Sequence, residues 1–589
     1  MLDPRLYRAA FAPLLIVLVV AAFALVDRPH PIQTTLAPDA FDGAHALATL
    51  QGLAAAYPIR RPGDGGDDRL AAFVERTLRH SFRNVRVHHA DGRTIDGKQT
   101  LTTVIATRLG QPGPGIVVVA HRDAAGRPGE AELSGTATLL ELARIFAGTS
   151  TKRTLTLVST SGGSGGLAGA EHLASQLPGG ARNPDAVIVL GDVASRDDTP
   201  SVLPWSTSSA LAPVQLRRTA EVAIKSELGV EAAAPRALSQ LARLAFPFSL
   251  GEEGPLNAEG IPAVALQVGG ERGPAPGAAV APDRLRGFGR AALRMILALD
   301  NGPTLAKGPS ADIVVVGKVL PPWVVRLLVG ILLLPMLVAA IDGFARVRRR
   351  RAPVAPWLRW LLGLAFPFAA AALLARLLGL TSLVSDAPGN AVAAGRVPTD
   401  GVALAVVVCS FVLAALIVRP LHRWLAVGPG PQGAGPAAAL AVTMTALALL
   451  VWVFNPFAAA VLVLPAHLWL LASVPEVRLP RWASALLVLV ALLPAAGVLA
   501  VFAGATGASI LQLPWLLVLL VAGGGVGPAT LAVVCVFGAC AVGAWRLSGL
   551  PREEDAIPAP AAQSIRGPLG YAGPGSLGGT ESGFGSSRR

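Results

Sequence analysis

Only three cysteines occur in 589 residues, and all three, Cys409, Cys535 and Cys540, lie in strongly apolar segments. The polar half of the chain has none, so it holds no disulfide and no cysteine-based metal motif, whichever side of a membrane it occupies. Histidine is sparse too. None occurs between His172 and His422, which leaves any site in the polar half without a late imidazole. The apolar half has no ladder of acidic residues of the kind a proton-driven transporter needs. The chain's Gly-rich loop, Gly162–Gly166, is followed by no Walker-type lysine.

What is present is hydrophobic and unevenly placed. The composition is 52% hydrophobic and the mean hydropathy is +0.55, too apolar for an ordinary soluble protein and too long for one domain. Residues 27–320 are mixed in character, whereas 321–546 are almost continuously apolar. The charge is uneven as well. Residues 27–320 carry 30 Lys/Arg and 28 Asp/Glu, a balance of 30 − 28 = +2 out of a formal +13. The remaining basic residues flank the hydrophobic runs, which is how topology is set in a bilayer. This distribution argues against a nucleic-acid partner and for the lipid bilayer as one.

Residues 1–27 read as an N-terminal signal anchor: the apolar run 9–26 follows Arg5 and Arg8, although Ala22-Phe23-Ala24 also fits a cleavage site. A mixed domain is expected over 28–305, then a linker over 306–320. A multi-span region of about seven helices follows over 321–546, with runs near 323–341, 357–380, 401–418, 437–454, 457–474 and 482–503. Each is near the 20 residues that a bilayer core of about 30 Å requires. Residues 509–546 read as one span plus a re-entrant piece. Basic residues at 346–351, 419, 423, 478, 481 and 546 fall on one side under this count. The expected location is therefore a multi-pass cell-membrane protein with the mixed domain extracytoplasmic. The Pro/Gly/Ser-rich residues 547–589 read as a disordered cytoplasmic tail.

Within the mixed domain, short apolar runs at Thr102–Thr107, Ile116–Ala120, Leu155–Ser159, Ala186–Leu190 and Ala263–Leu266 alternate with helical periods. Leu139, Leu142, Ala143 and Phe146 recur at i, i+3, i+4 and i+7, and a second helix is expected over Leu167–Gln176. Apolar strands alternating with helices predict an α/β domain, with a largely parallel mixed sheet covered by helices, beside an all-α transmembrane bundle. Sites in such sheets form beyond the carboxyl ends of the strands. His121, Ser161–Ser164 and Asp192 all fall just past such ends.

The order AHRD, SGTATLLELAR, LTLVSTSGGSGGLAGAEHL, VIVLGD and EGIPAVAL over roughly residues 40–300 resembles the M28 family of zinc aminopeptidases. The resemblance implies a zinc-aminopeptidase-like fold. It places a first histidine ligand at His121, its supporting aspartate at Asp123 and a later carboxylate ligand at Asp192. The bridging aspartate falls on Ala131, or on Glu132 if one residue is deleted. The family's general base and the glutamate ligand beside it fall on Gly163 and Ser164, and its late histidine falls on Glu253. The scaffold matches and the chemistry does not. Glycine cannot take a proton from water, and zinc needs about four donors. The expected metal site is vestigial or weak, drawn from His121, Asp192, Glu132 and Glu253 with Asp123 behind the histidine; bound zinc is expected to be weak or absent, and no catalytic residue is assigned. Gly162–Gly166 also fits G-x-S-x-G or a phosphate-cradling loop, but the only later histidine of the domain, His172, sits on the helix that follows.

The expected function is that of a degenerate peptidase domain, kept for binding or assembly, with a peptide or protein ligand in its extracytoplasmic cleft. Two alternatives stay open: a working zinc aminopeptidase with rearranged ligands, and a docking component of a membrane complex.

Overall fold

The computed structural model describes residues 4–124, 129–177, 184–196, 199–273, 277–349, 354–381, 383–384, 387–424, 434–473 and 479–548. The proposed tail, apart from its first two residues, lies outside them, as do Arg350, Arg351 and Arg478. Helix α1 (Pro4–Phe23) leads into a two-residue strand β1 (Val26–Asp27). The domain that follows is built on a seven-stranded sheet. Its strands are β2 (Asn84–Thr94), β3 (Gly97–Arg108), β4 (Gln111–His121), β5 (Arg153–Thr160), β6 (Ala186–Leu190), β7 (Pro200–Leu203) and β8 (Ala263–Val268), in the order β2-β3-β5-β4-β6-β8-β7.

The four central strands β5, β4, β6 and β8 run parallel, and the pairings β2–β3, β3–β5 and β7–β8 are antiparallel. The sheet is thus mixed, with its antiparallel pairings toward the edges. Strand β2 escapes an apolar-run search because NVRVHHADGRT faces water along much of its length. The central strands are apolar on both faces because both are covered. Ile116, Val118 and Ala120 pack with residues of helices α2 (Gly43–Ala56), α3 (Gly65–Ser81), α4 (Ser134–Ile145), α6 (Val214–Leu228) and α9 (Pro282–Asn301). Val117 and Val119 point the other way, toward α5 (Ala168–Gln176), α7 (Ala237–Ala245) and α8 (Glu253–Ala258). Asp42 and Asp64 cap α2 and α3 by accepting from the first free backbone N–H groups.

After α9, strands β9 (Ile313–Val315) and β10 (Lys318–Leu320) join β1 in a three-stranded antiparallel sheet. It ties the end of α1 to the start of α10 (Pro322–Arg349), along which α1 packs. The remaining helices are α11 (Ala355–Gly363), α12 (Phe366–Leu380), α13 (Gly401–Trp424), α14 (Ala434–Phe454), α15 (Pro456–Ser473), α16 (Arg481–Val490), α17 (Leu493–Thr506), α18 (Gln512–Gly523) and α19 (Pro528–Ser548). Pro367 and Pro494 sit in the first turns of α12 and α17, where the two-part rods α11–α12 and α16–α17 break. Among the described residues seven helices, counting each two-part rod as one, are long and apolar enough to cross a membrane. The shorter α18 packs against α12, with Gly507 before it near Arg272 and Gly523 at its end against Pro388.

Domain and bundle are in contact. Asn455, in the turn between α14 and α15, donates to Ser209 Oγ and to the Leu244 carbonyl, both at 2.9 Å. Phe248 of the domain meets Phe502 of α17 edge-to-face at 4.7 Å. Within the bundle, Arg376 donates to the last carbonyls of α18, Val521 and Ala522. His467 bonds the Leu332 carbonyl at 2.9 Å in the stretch of α10 interrupted by Pro335.

Candidate functional site

The parallel strands deliver their carboxyl ends to one edge of the sheet, and a cleft forms there. His121 closes β4 directly beside Thr160 of β5. Asp192 follows β6 by two residues and Glu271 follows β8 by three. Glu132 comes from the tight turn Ala131–Leu133 before α4. Glycine makes this approach possible: a Cβ on Gly135 would lie 2.4 Å from the Leu190 carbonyl oxygen, so only Gly135 lets α4 start against the end of β6. The neighbouring Ser134 donates to Asp192 Oδ1 at 3.1 Å and accepts from the Val193 N–H at 2.9 Å.

The cavity at this edge measures about 60 Å³ and is lined by His121, Glu132, Asp192, Glu252, Glu253 and Glu271, among others. Asp192 Oδ1 is taken by Ser134 and by the Ala194 and Ser195 N–H groups, while its buried Oδ2 has no partner. Burial pushes the Asp192 carboxyl up to about 6. The carboxylate that faces His121 is Glu252, which sequence reasoning passed over in favour of Glu253. Its Oε2 lies 3.7 Å from His121 Nδ1, and its Oε1 accepts from Thr160 Oγ1 at 2.5 Å. Burial pulls the His121 pKa down, but the neighbouring Glu252 and Asp123 outweigh it and hold the imidazole above its ordinary value. Glu253 is fully buried and accepts from Ser249 Oγ at 3.1 Å; burial, with Glu271 adding to it, pushes its carboxyl up to about 8. Neither Glu252 nor Glu253 is a solvated loop charge.

Asp123 serves a different neighbour from the one expected. Its oxygens accept from the backbone N–H groups of Gly163 and Ser164 at 3.0 and 3.1 Å and from the Ser164 hydroxyl; it acts on His121 through charge. The amides and hydroxyl of the Gly-rich loop are therefore occupied. The Ser164 hydroxyl and the loop's inner amides already hold the Asp123 carboxylate, which is the geometry of neither a nucleophile elbow nor a phosphate cradle. A Cβ on Gly163 would lie 2.5 Å from His121 Cβ. A side chain at Gly163 would therefore require His121 to shift.

Two groups at the site carried no sequence signal. The first is a buried ion pair: Arg122 Nε lies 2.8 Å from Asp67 Oδ1, and the guanidinium also donates to the Thr102 and Ser159 carbonyls. Asp67 accepts from Ser161 Oγ as well, so the N-terminus of α3 is locked to the strand ends. The second is Arg396, from the loop between α12 and α13. It lines the cavity and places Nη2 3.2 Å from Glu132 Oε1, while Arg60 stands 3.8 Å from the other oxygen. The same loop brings Asn390 to the Gly166 carbonyl at 3.0 Å and to Glu171 at 2.9 Å, and Pro388 against Gly166. A loop of the bundle thus covers the cleft with a cation among the carboxylates.

Residues 103–236 match the family model for peptidase family M28. That stretch contains His121, Asp123, Glu132 and Asp192, and we call the domain M28-like below. Solved structures similar to it include a zinc aminopeptidase from Bacillus subtilis, at 12% identity and TM-score 0.36, covering 44% of this chain and 94% of that one. A glutaminyl cyclase from an Acidobacteriales bacterium is 16% identical at TM-score 0.36, covering 46% and 99%. LapB from Legionella pneumophila is 15% identical at TM-score 0.38, covering 47% and 78%. No curated protein matches the chain.

Zinc chemistry needs three or four converging donors. Among the described residues no group of three or more His, Cys, Asp or Glu side chains is arranged to hold a metal ion. Asp192 is turned to Ser134, Glu132 to Arg396, Glu253 to Ser249 and Asp123 to the Gly-rich loop. The donors do not fit the metal as they stand.

Proposed function

We propose that the M28-like domain is non-catalytic and serves as a docking scaffold, with its cleft as the seat for the bundle's own loop. Arg396 carries this reading: a guanidinium stands beside Glu132, the candidate bridging carboxylate, and Gly163 stands where the family's general base falls. Hydrolysis requires a water of lowered pKa and a group to accept its proton. A domain whose metal donors do not converge still offers a rigid, acidic cleft in which a cationic loop can seat. A peptide or protein partner would then bind by displacing that loop.

The placement proposed for the domain is extracytoplasmic, with the C-terminal tail on the opposite side. The support is the distribution of arginines. Arg346, Arg348 and Arg349 close α10 at the end far from the domain, and Arg419, Arg481 and Arg546 lie toward the corresponding ends of α13, α16 and α19.

The full chain, purified in detergent, should release no product from aminoacyl anilides with zinc supplied, and His121→Ala should change nothing. Turnover that His121→Ala abolishes would replace this reading with that of an aminopeptidase with rearranged ligands. Crosslinking in native membranes would separate self-docking from a larger assembly: the first predicts products within one chain between the 387–397 loop and the cleft rim.

A further inference from the structure

A second cavity, of about 300 Å³, lies where α6, the start of α7 and the three-stranded sheet meet. Four arginines line it, Arg28, Arg217, Arg218 and Arg236, with Glu221 the one carboxylate among its described lining residues. Arg217 is only 4% exposed. Its terminal nitrogens reach Gln240 Oε1 and the Asp312 carbonyl at 3.4 and 3.5 Å, and its Nε has no partner. No carboxylate among the described residues lies within ion-pair distance of Arg28, Arg217 or Arg236. Glu221 and Asp312 act on Arg217 only through the field, and a buried guanidinium with no carboxylate in direct contact is costly, and so a natural place for a bound anion. The cavity also takes in Pro235, Arg236 and Ala237, the N-terminus of the nine-residue α7, whose first N–H groups receive no side-chain cap. The positive end of that helix adds to the same field. Arg218 is committed elsewhere, donating to the Arg28 and Pro29 carbonyls, and so holds the β1 side of the wall in place.

We infer that this cavity binds a phosphate-bearing anion through Arg28, Arg217, Arg236 and the N-terminus of α7. Arginine clusters recognise phosphoryl oxygens by paired, charge-assisted hydrogen bonds. Its location favours a phospholipid headgroup. The sheet beside it joins the end of α1 to the start of α10. The tip between β9 and β10 presents Val316, 97% exposed at a φ of +41°, next to the cavity. A headgroup in the cavity with its acyl chains running past an apolar tip satisfies both features. A free phosphate would use the same donors without the tip.

The test uses the full chain in a neutral detergent, with Arg28→Gln and Arg236→Gln combined. Both residues lie outside the buried core, so folding is preserved and is checked by melting temperature. Phosphatidylglycerol and phosphatidylcholine are titrated by native mass spectrometry, and inorganic phosphate by calorimetry. One saturable phosphatidylglycerol per chain, preferred over phosphatidylcholine and weakened at least about tenfold in the double variant, supports the headgroup; that is the loss expected from one charge-assisted hydrogen bond. Saturable phosphate binding with the same sensitivity and no lipid preference supports a free phosphate in the same site. Binding of both probes unchanged in the double variant, or absent from the parent protein, overturns the inference.

Discussion

Gly163 is where the absence of a side chain matters most. Gly163→Glu would drive a Cβ to within 2.5 Å of His121 Cβ. The expected cost is about 3 kcal/mol, the upper range for overpacking, with no gain of peptidase activity; the melting temperature and an anilide assay check both. The Asp67–Arg122 pair gives a second residue-level prediction. Burial raises the Asp67 carboxyl from 3.8 to about 6 against the pull of Arg122. A folded-state value above the unfolded one contributes stability that is full below about 3.8 and is lost as pH rises to about 6. Asp67→Asn keeps a neutral group at that place at every pH and so removes that slope. The variant's deficit should therefore be largest near pH 4 and shrink toward pH 7, read from denaturant midpoints across that range. The sequence displayed His121 and Asp192 because strand ends are legible from apolar runs. It did not display Arg122–Asp67 or Arg396–Glu132, because ion pairs between distant segments leave no periodicity. Nor could it rank Glu252 over Glu253, since adjacent residues differ only in which way the backbone turns them.

Elements show the same division. The central parallel strands and α4 were readable because burial on both faces, or on one stripe, writes itself into composition. Strands β2 and β7 were not, since one is largely polar and the other is only four residues long. In the apolar half, length and apolarity suffice to anticipate seven long helices and a shorter piece beside them. What hydropathy could not show is that α18 packs against α12, its carboxyl terminus held by Arg376. The loop between α12 and α13 is the element on which the scaffold reading turns. Arg396→Gln removes the nearer cation from Glu132 and should free the loop. Hydrogen exchange across residues 387–397 should rise at least about tenfold, the effect of about 1.4 kcal/mol of local stability. The Asn455 turn makes a separate link. Its Oδ1 accepts from the Phe457 and Ala458 N–H groups as an N-cap for α15, while its amide holds the domain. Asn455→Ala should cost about 1–2 kcal/mol through the lost cap and raise exchange near residues 206–210 and 242–246.

At the scale of the whole molecule, the M28-like domain and the bundle meet through the cleft loop, the Asn455 turn and the Phe248–Phe502 contact. Their packing predicts one cooperative unfolding transition for the full chain, observable as coincident fluorescence and circular-dichroism midpoints; Arg396→Gln and Asn455→Ala together should split it. The central claim is that the cleft's acidic side chains, although several keep an unpartnered oxygen, do not converge on a metal ion. The most direct measurement is the metal content of the full protein, purified without chelator, equilibrated with zinc and separated from free ion. The account predicts far less than one zinc per chain, with no change on His121→Ala. Two zinc ions per chain, both lost with His121→Ala, would contradict it.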